Sequence, residues 1–214
     1  MKTVFPVAFF PPVEFFSMAI KSKTLWIEAT ENYQKQSYRN RCHILTANGK
    51  MALAVPVCHT CSKIAIREVR IDYKTGWQRK YWRAIESAYN GSPYFQYYAD
   101  YLLPFFEKKY EFLFDYNMEI LQTICKLLKI APEIHYTEQY INHYDDITDC
   151  RQWMHPKKSD EENYPLKITT PYSQVFDYKF VFTPNLSVID LIFNMGNESA
   201  SYLARALPLL KDIH

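Results

Sequence analysis

Between Tyr33 and Arg41 the chain reads Tyr-Gln-Lys-Gln-Ser-Tyr-Arg-Asn-Arg, which sets Lys35, Arg39 and Arg41 among amide and hydroxyl donors within nine residues. Guanidinium forks grip phosphate or carboxylate through paired hydrogen bonds, and an ammonium adds a compact charge. In that chemistry Lys35, Arg39 and Arg41 hold anionic oxygens and neutralise charge in a transition state, while Gln36 and Asn40 orient the donor. Glu28, just upstream, is the candidate general base. The plainer reading is a solvated basic loop whose cations pair with Glu28 and Glu31.

A second group joins Trp77, Lys80, Tyr81, Trp82 and Arg83 to Tyr89, Ser92, Pro93 and Tyr94 at the following turn. Trp and Tyr faces stack on sugars or bases, and Trp82 or Tyr94 is the candidate for that contact, with Arg83 beside it. Trp77 and Tyr81 also fall on an apolar helical stripe, where core packing is the ordinary role. A third group is Asp149 with Arg151, followed by Gln174 inside Tyr172-Ser173-Gln174-Val175-Phe176. These are either substrate contacts or a structural ion pair and a buried amide that needs partners. An enzyme should gather the three groups around one cleft, whereas a scaffold should present a flat apolar patch.

Composition narrows the classes. The 214 residues fit a single domain with a sizeable core, and 17% aromatic content supplies large packing surfaces. With 25 basic against 23 acidic side chains the net charge is +2, too little for nonspecific nucleic-acid binding. The apolar run from Thr3 to Pro12 is short and proline-bearing, failing both the signal-peptide and the membrane-span templates, so a cytoplasmic chain without a membrane span is expected. Five cysteines at irregular spacing predict free thiols. Cys58-His59-Thr60-Cys61 has CxxC spacing but no second ligand pair, so no metal is assigned. GxGxxG, GxxxxGK[ST], GxSxG and HExxH are all absent, and four glycines leave any phosphate cradle to side chains. No cofactor is named by the sequence.

The elements that must position these groups predict an α/β fold: a mixed sheet with an N-terminal strand-helix-strand unit, a β-hairpin and a helical layer. A strand stopped by Pro11-Pro12 leads into a helix, and Thr24–Glu28 returns to strand composition. Asn48-Gly49 between two apolar runs marks a hairpin with both turn residues at positive φ. Ile64, Ile66, Val69, Ile71 and Tyr73 alternate as a further strand with a slipped phase. Stripes beginning at Trp77, Phe95 and Leu113 predict three helices, the second kinked at Pro104. Ile134–Thr137 reads as a strand, and about 143–171 as a long irregular loop, a lid or a site-forming segment. Ser187-Val188-Ile189-Asp190 matches a capping box opening a helix that Gly196 ends, with Asn197 capping the last one.

Taken in order, Phe10-Pro11-Pro12-Val13-Glu14-Phe15-Phe16, the Tyr33–Arg41 run, Trp82-Arg83-Ala84-Ile85-x-Ser87-Ala88-Tyr89 and Ser92-Pro93-Tyr94-Phe95 resemble the WbqC-like family. Tyr172-x-Gln174-Val175-Phe176 and Asn185-Leu186-Ser187-x-x-Asp190-Leu191-x-Phe193-Asn194 continue the match over nearly the whole chain, in a version similar to those of Bacteroidetes. The resemblance implies a place in O-antigen or capsule polysaccharide synthesis, with glycine, aminoacyl or acyl transfer onto a sugar. It also implies an activated sugar, nucleotide or acyl donor as ligand, and association with polysaccharide-synthesis enzymes. Where the family pattern has a His before the Trp-Arg pair, this chain has Tyr81, a poor base with a hydroxyl pKa of about 10. Two other readings stand beside transfer: a noncatalytic glycan-precursor binding or scaffold protein, and a nucleotidylyltransferase-like enzyme, whose HxGH signature is missing.

Overall fold

The computed structural model describes residues 2–22, 24–58, 63–144, 146–158, 164 and 166–206. The opening apolar run forms strand β1 (Lys2–Pro6), buried in its last four residues. Pro12 precedes helix α1 (Val13–Ala19), every residue of which is buried. A proline costs nothing there, because the first N–H groups of a helix lack carbonyl partners. Strand β2 (Thr24–Glu28) follows, then the hairpin of β3 (Arg41–Thr46) and β4 (Gly49–Ala54). Helices α2 (Trp77–Tyr89), α3 (Phe95–Leu102), α4 (Pro104–Glu107) and α5 (Leu113–Leu127) make the helical layer. The chain closes with β5 (Glu133–Tyr136), β6 (Thr148–Asp149), α6 (Val188–Met195) and α7 (Ser199–Arg205).

Four strands form one sheet in the order β5-β2-β1-β6, all parallel, and β3-β4 pair separately and antiparallel. One row across the sheet is Phe5, Ile27 and Tyr136; Phe5 meets Phe15 of α1 at 4.4 Å between ring centroids and Tyr136 meets Phe114 of α5 at 5.7 Å. The adjacent row, Val4, Trp26 and His135, points to the opposite face because side chains alternate along a strand. The large core therefore lies on the α1–α5 side. Val4 and Trp26 stand outside it.

The mixed α/β architecture is as the sequence indicates, with local differences. Residues 64–73 form no strand: the phase slip is a 3₁₀ turn at Ile66–Glu68, flanked by isolated bridges from Ala65 to Asn32, Ile71 to Val57 and Arg70 to Phe112. In the hairpin turn, positive φ falls on Gly49 and not on Asn48. Pro104 does not kink one helix but starts a new one after Leu102. The irregular stretch from 143 conceals β6, whose two residues pair with Thr3 and Val4. Ser187 caps no helical N–H; its hydroxyl donates to the Phe10 carbonyl at 3.0 Å, and Asp190 turns into the core. Asn197 lies within a 3₁₀ turn and Glu198 stands at the cap of α7. Among the described residues Cys42, Cys58, Cys125 and Cys150 are free thiols, and all but Cys58 are buried. The middle and end of the CxxC run lie outside the described residues. Among the described residues no helix is long and apolar enough to cross a membrane.

Gly196 ends α6 at φ +54°, and a Cβ built there would sit 2.6 Å from the Tyr94 ring. Both the backbone angle and the contact demand glycine. Gly196→Ala is expected to cost about 1–3 kcal/mol of stability, measured by urea denaturation.

Candidate functional site

Parallel strands end together, so the residues that leave β1, β2, β5 and β6 meet at one edge of the sheet. Glu28, the last residue of β2, is fully buried there. Its Oε1 accepts from the Thr137 hydroxyl at 2.6 Å, the Thr30 hydroxyl at 2.7 Å and the Thr30 N–H at 2.9 Å. Its Oε2 accepts from Arg151 Nη1 at 2.8 Å. Burial pushes this carboxyl up, but the hydrogen bonds from Thr137, Thr30 and Arg151 outweigh it and hold Glu28 below the ordinary range.

Arg151 joins the strand ends. Nε donates to Asp149 Oδ1 at 2.9 Å and Nη2 to Asp149 Oδ2 at 2.6 Å, a forked grip on the last residue of β6. Nη2 also reaches the Ile141 carbonyl at 2.6 Å, and the guanidinium lies 4.6 Å from the Tyr140 ring centroid and 5.0 Å from that of Tyr144. The Asp149–Arg151 pair suggested by the sequence is thus a connector between β2, β6 and the segment after β5.

A second buried pair lies next to it. Arg39 Nε and Nη2 donate to Glu31 Oε1 and Oε2 at 2.9 and 2.5 Å, with Arg39 inaccessible to water. Asn117 of α5 fixes the backbone by donating to the Arg39 carbonyl at 2.7 Å. Burial raises the Glu31 carboxyl; Arg39 opposes that, Glu28 adds to it, and the net direction is upward. The coupling makes Glu28, Glu31, Arg39 and Arg151 one electrostatic unit.

A further group of basic side chains stands on the hairpin. Arg41 and His43 stand on one face of β3, opposite Ala54 and Ala52, and Lys50 stands opposite Leu45 on the same face. The small Ala52 across from His43 leaves a shallow hollow of about 300 Å³, bordered by Arg41, Lys50, Pro156 and Lys157. The Arg41 Nε is buried without a hydrogen-bond partner. His155 next to this trough is held below its ordinary pKa by burial and by Arg39, Lys157, Lys158 and Arg41. The trough is a place of positive potential with neutral imidazole beside it, which suits an oxyanion.

The other sequence candidates are distributed as follows. Lys35 and Gln36 are exposed, the latter at φ +58° in a turn. Asn40 closes the open end of the hairpin, its Nδ2 donating to the Val55 carbonyl at 2.9 Å. Trp82 packs between Phe95 and Phe106, at centroid distances of 6.1 and 5.6 Å, and Arg83 is exposed on α2. Tyr94 lines a separate groove of about 980 Å³ with Tyr97, Tyr98 and Tyr101. Tyr81, at the position where the resemblance places a His, donates to the Ala54 carbonyl at 2.9 Å. Gln174 is buried, donating to Thr183 O at 2.9 Å and Asp190 Oδ2 at 3.2 Å. Asp190 also accepts from Tyr89 at 2.8 Å and Tyr172 at 2.5 Å, a network that ties α2 and α6 together. The fold therefore brings Glu28, Arg39, Asp149 and Arg151 together with Arg41 at their margin, and holds Trp82, Tyr94 and Gln174 elsewhere.

Residues the sequence reading missed are Thr137, His43, Lys50, His155 and Lys157. Lys50 and His43 follow from hairpin register once the turn is located. His155 and Lys157 sit in a stretch without periodicity, where no local signal announces them.

These features define an α/β protein built on a parallel sheet, with two buried ion pairs at the carboxyl edge beside a basic trough. The chain belongs to the WbqC-like protein family, whose model matches residues 7–164. The matched span contains the carboxyl-edge charges and the trough, and stops short of Gln174 and Asp190. The chain is also similar to the uncharacterized protein Rv1507c of Mycobacterium tuberculosis, at 30% identity over 195 residues covering 80% of this chain and 83% of the relative. No solved structure matches it.

Two outcomes are expected. Arg151→Ala leaves Glu28 buried without its counter-charge and should cost about 3–5 kcal/mol, with Arg39→Ala similar through Glu31, measured by denaturant unfolding. The sign of the pH effect follows from Glu28: its folded pKa is depressed, so its stabilising contribution is present above the unfolded value near 4.5 and is lost as pH falls through the folded value. Glu28→Gln should therefore flatten the acid limb of the stability curve.

Proposed function

We propose that this protein is a group-transfer enzyme of surface-polysaccharide assembly that holds the anionic part of an activated donor in the trough of Arg41, Lys50 and Lys157. The observation that carries the reading is the trough itself, a basic hollow on the hairpin lined by Arg41, Lys50 and Lys157. Open parallel sheets place ligands in the crevice outside the carboxyl ends of their strands, at the point where strand order reverses. In this sheet β1 is flanked by β2 on one side and β6 on the other, so that point lies between β1 and β6.

Each residue has a distinct task. Arg41, Lys50 and Lys157 contact the anion and oppose the negative charge that grows on the leaving group. Arg39, shut away with Glu31, acts through its field rather than by contact. Glu28 has every hydrogen bond it needs and a lowered pKa, so it positions Arg151 and Thr137 and is a weak proton acceptor. His155 is the better base: its neutral form is favoured before the donor binds, and an arriving anion strengthens its hold on a proton. The transferred glycine, aminoacyl or acyl group and the sugar acceptor are what the resemblance to the family implies.

The strand order favours a second reading, transfer of a nucleotidyl group, since β5-β2-β1-β6 corresponds to order 3-2-1-4 of doubly wound nucleotide-binding sheets. That is an analogy of fold, and its test is direct. Pyrophosphate release from a nucleoside triphosphate and a sugar phosphate supports it, and no release with any pair removes it.

For the trough, sulfate is the probe of choice because its charge is constant across the range of a histidine titration. Sulfate should bind more tightly as pH falls from about 8 to about 5, as His155 gains its proton. Arg41→Ala and Lys157→Ala should each weaken that binding about tenfold while leaving the unfolding free energy within about 0.5 kcal/mol of the parent. Equal sulfate affinity in parent and variants, read by calorimetry, removes the trough as the donor site.

A further inference from the structure

Trp26 is set apart from the other three tryptophans of the chain. Trp77 is a core residue and Trp82 and Trp153 pack against the core, whereas Trp26 projects from the sheet face that carries neither α1 nor α5. One side of its indole is covered by the His135 ring, 4.9 Å away and nearly parallel. The indole N–H is shielded from water and has no hydrogen-bond partner. A buried donor without an acceptor is costly enough that folded chains seldom keep one without a use for it.

Above this face the segment that follows β5 borders a cavity of about 650 Å³, lined by Val4, Trp26, Ile141, Tyr144 and Ile147 and by the polar Thr137, Glu138 and Gln139. Val4 borders this space and belongs to no part of the core cluster. The cavity shares residues with the charged edge: Ile141 gives its carbonyl to Arg151, and the Tyr144 ring lies beneath the Arg151 guanidinium.

We infer that this cavity is a binding site for a flat heteroaromatic ring bearing a hydrogen-bond acceptor, of the kind a nucleobase presents, and that it receives the base of a nucleotide-linked donor. Three observations select that class. The apolar part of the lining, Val4, Ile141 and Ile147 beside the indole, favours an uncharged ring over a sugar, whose hydroxyls would lose their water there without replacement. The unpaired indole donor requires a ring nitrogen or carbonyl oxygen, which an aliphatic chain lacks. Among the lining groups the Gln139 amide can meet an exocyclic amine or carbonyl and the Glu138 carboxylate an exocyclic amine. The inference rests on the transferase reading for the word donor only; the ring site itself stands on the cavity and the indole.

The test separates the two sites by using probes that carry one half of a nucleotide each. Adenosine, guanosine, cytidine and uridine have a base and no phosphate, and inorganic pyrophosphate has the reverse. At least one nucleoside should bind the full chain in calorimetry or ligand-observed magnetic resonance. Trp26→Phe keeps an aromatic ring and removes the N–H, and should weaken that nucleoside about tenfold while leaving pyrophosphate binding unchanged. Ile147→Trp, which fills the cavity from its rim, should abolish nucleoside binding in a chain that still unfolds cooperatively. Failure of all four nucleosides at millimolar concentration, or binding that neither variant alters, overturns the inference. Nucleoside binding without pyrophosphate binding upholds the ring site and sinks the trough, and the opposite pattern does the reverse.

Discussion

The guanidinium of Arg151 is the joint on which the site is built. A strand of two residues has too few ladder hydrogen bonds to hold its own place in a sheet, yet β6 ends in register with β1. It does so because Arg151 clasps Asp149 on β6 and Glu28 on β2 at once, with Tyr140 and Tyr144 beneath the cation. Burial alone would favour the neutral form of Arg151, but the two carboxylates overcome it and keep it charged. The neighbouring Glu31–Arg39 pair extends the same logic to the loop before the hairpin. Buried pairs of this kind contribute modestly when intact and cost heavily when broken, so their value here is geometric: they fix which strand ends meet.

That arrangement explains why a site forms with so few glycines. Gly-rich phosphate loops bring backbone N–H groups close to an anion. In the proposed site side chains would take that task, and the hollow on the hairpin lies at Ala52, opposite His43. Hairpin register, not loop flexibility, shapes the basic surface. The carboxylates stay buried behind it, so the accessible face presents positive charge although the whole chain is nearly neutral.

Much of the fold was legible because it rests on short-range rules. Proline at the start of α1, the stripe from Trp77 to Tyr89 and the stripe from Leu113 to Leu127 each carry their own periodicity or stop signal. The site was legible in part: Glu31 as a partner for the basic run, and Asp149 with Arg151 as a pair, follow from charge and proximity in sequence. What escaped notice depends on long-range placement. Glu28 and Arg151 are separated by 123 positions and meet only because β6 adds to the sheet edge. Nothing in a run of two residues distinguishes β6 from loop, so the crossing that brings the third group to the first left no local trace. Trp82 shows the opposite case, an aromatic that reads as a ligand platform and is spent instead on contacts with Phe95 and Phe106.

The brevity of β6 also bears on how the molecule meets its neighbours in a crowded solution. An edge strand with a long row of free amides and carbonyls invites strand addition from another chain, and sheets commonly blunt such edges with charge or shortness. On one margin this sheet offers two residues, the second locked to a guanidinium; on the other, β5 shows solvent the Glu133 and His135 side chains, joined at 3.0 Å. The link that assembles the interior edge thus doubles as a guard against fibrous self-association.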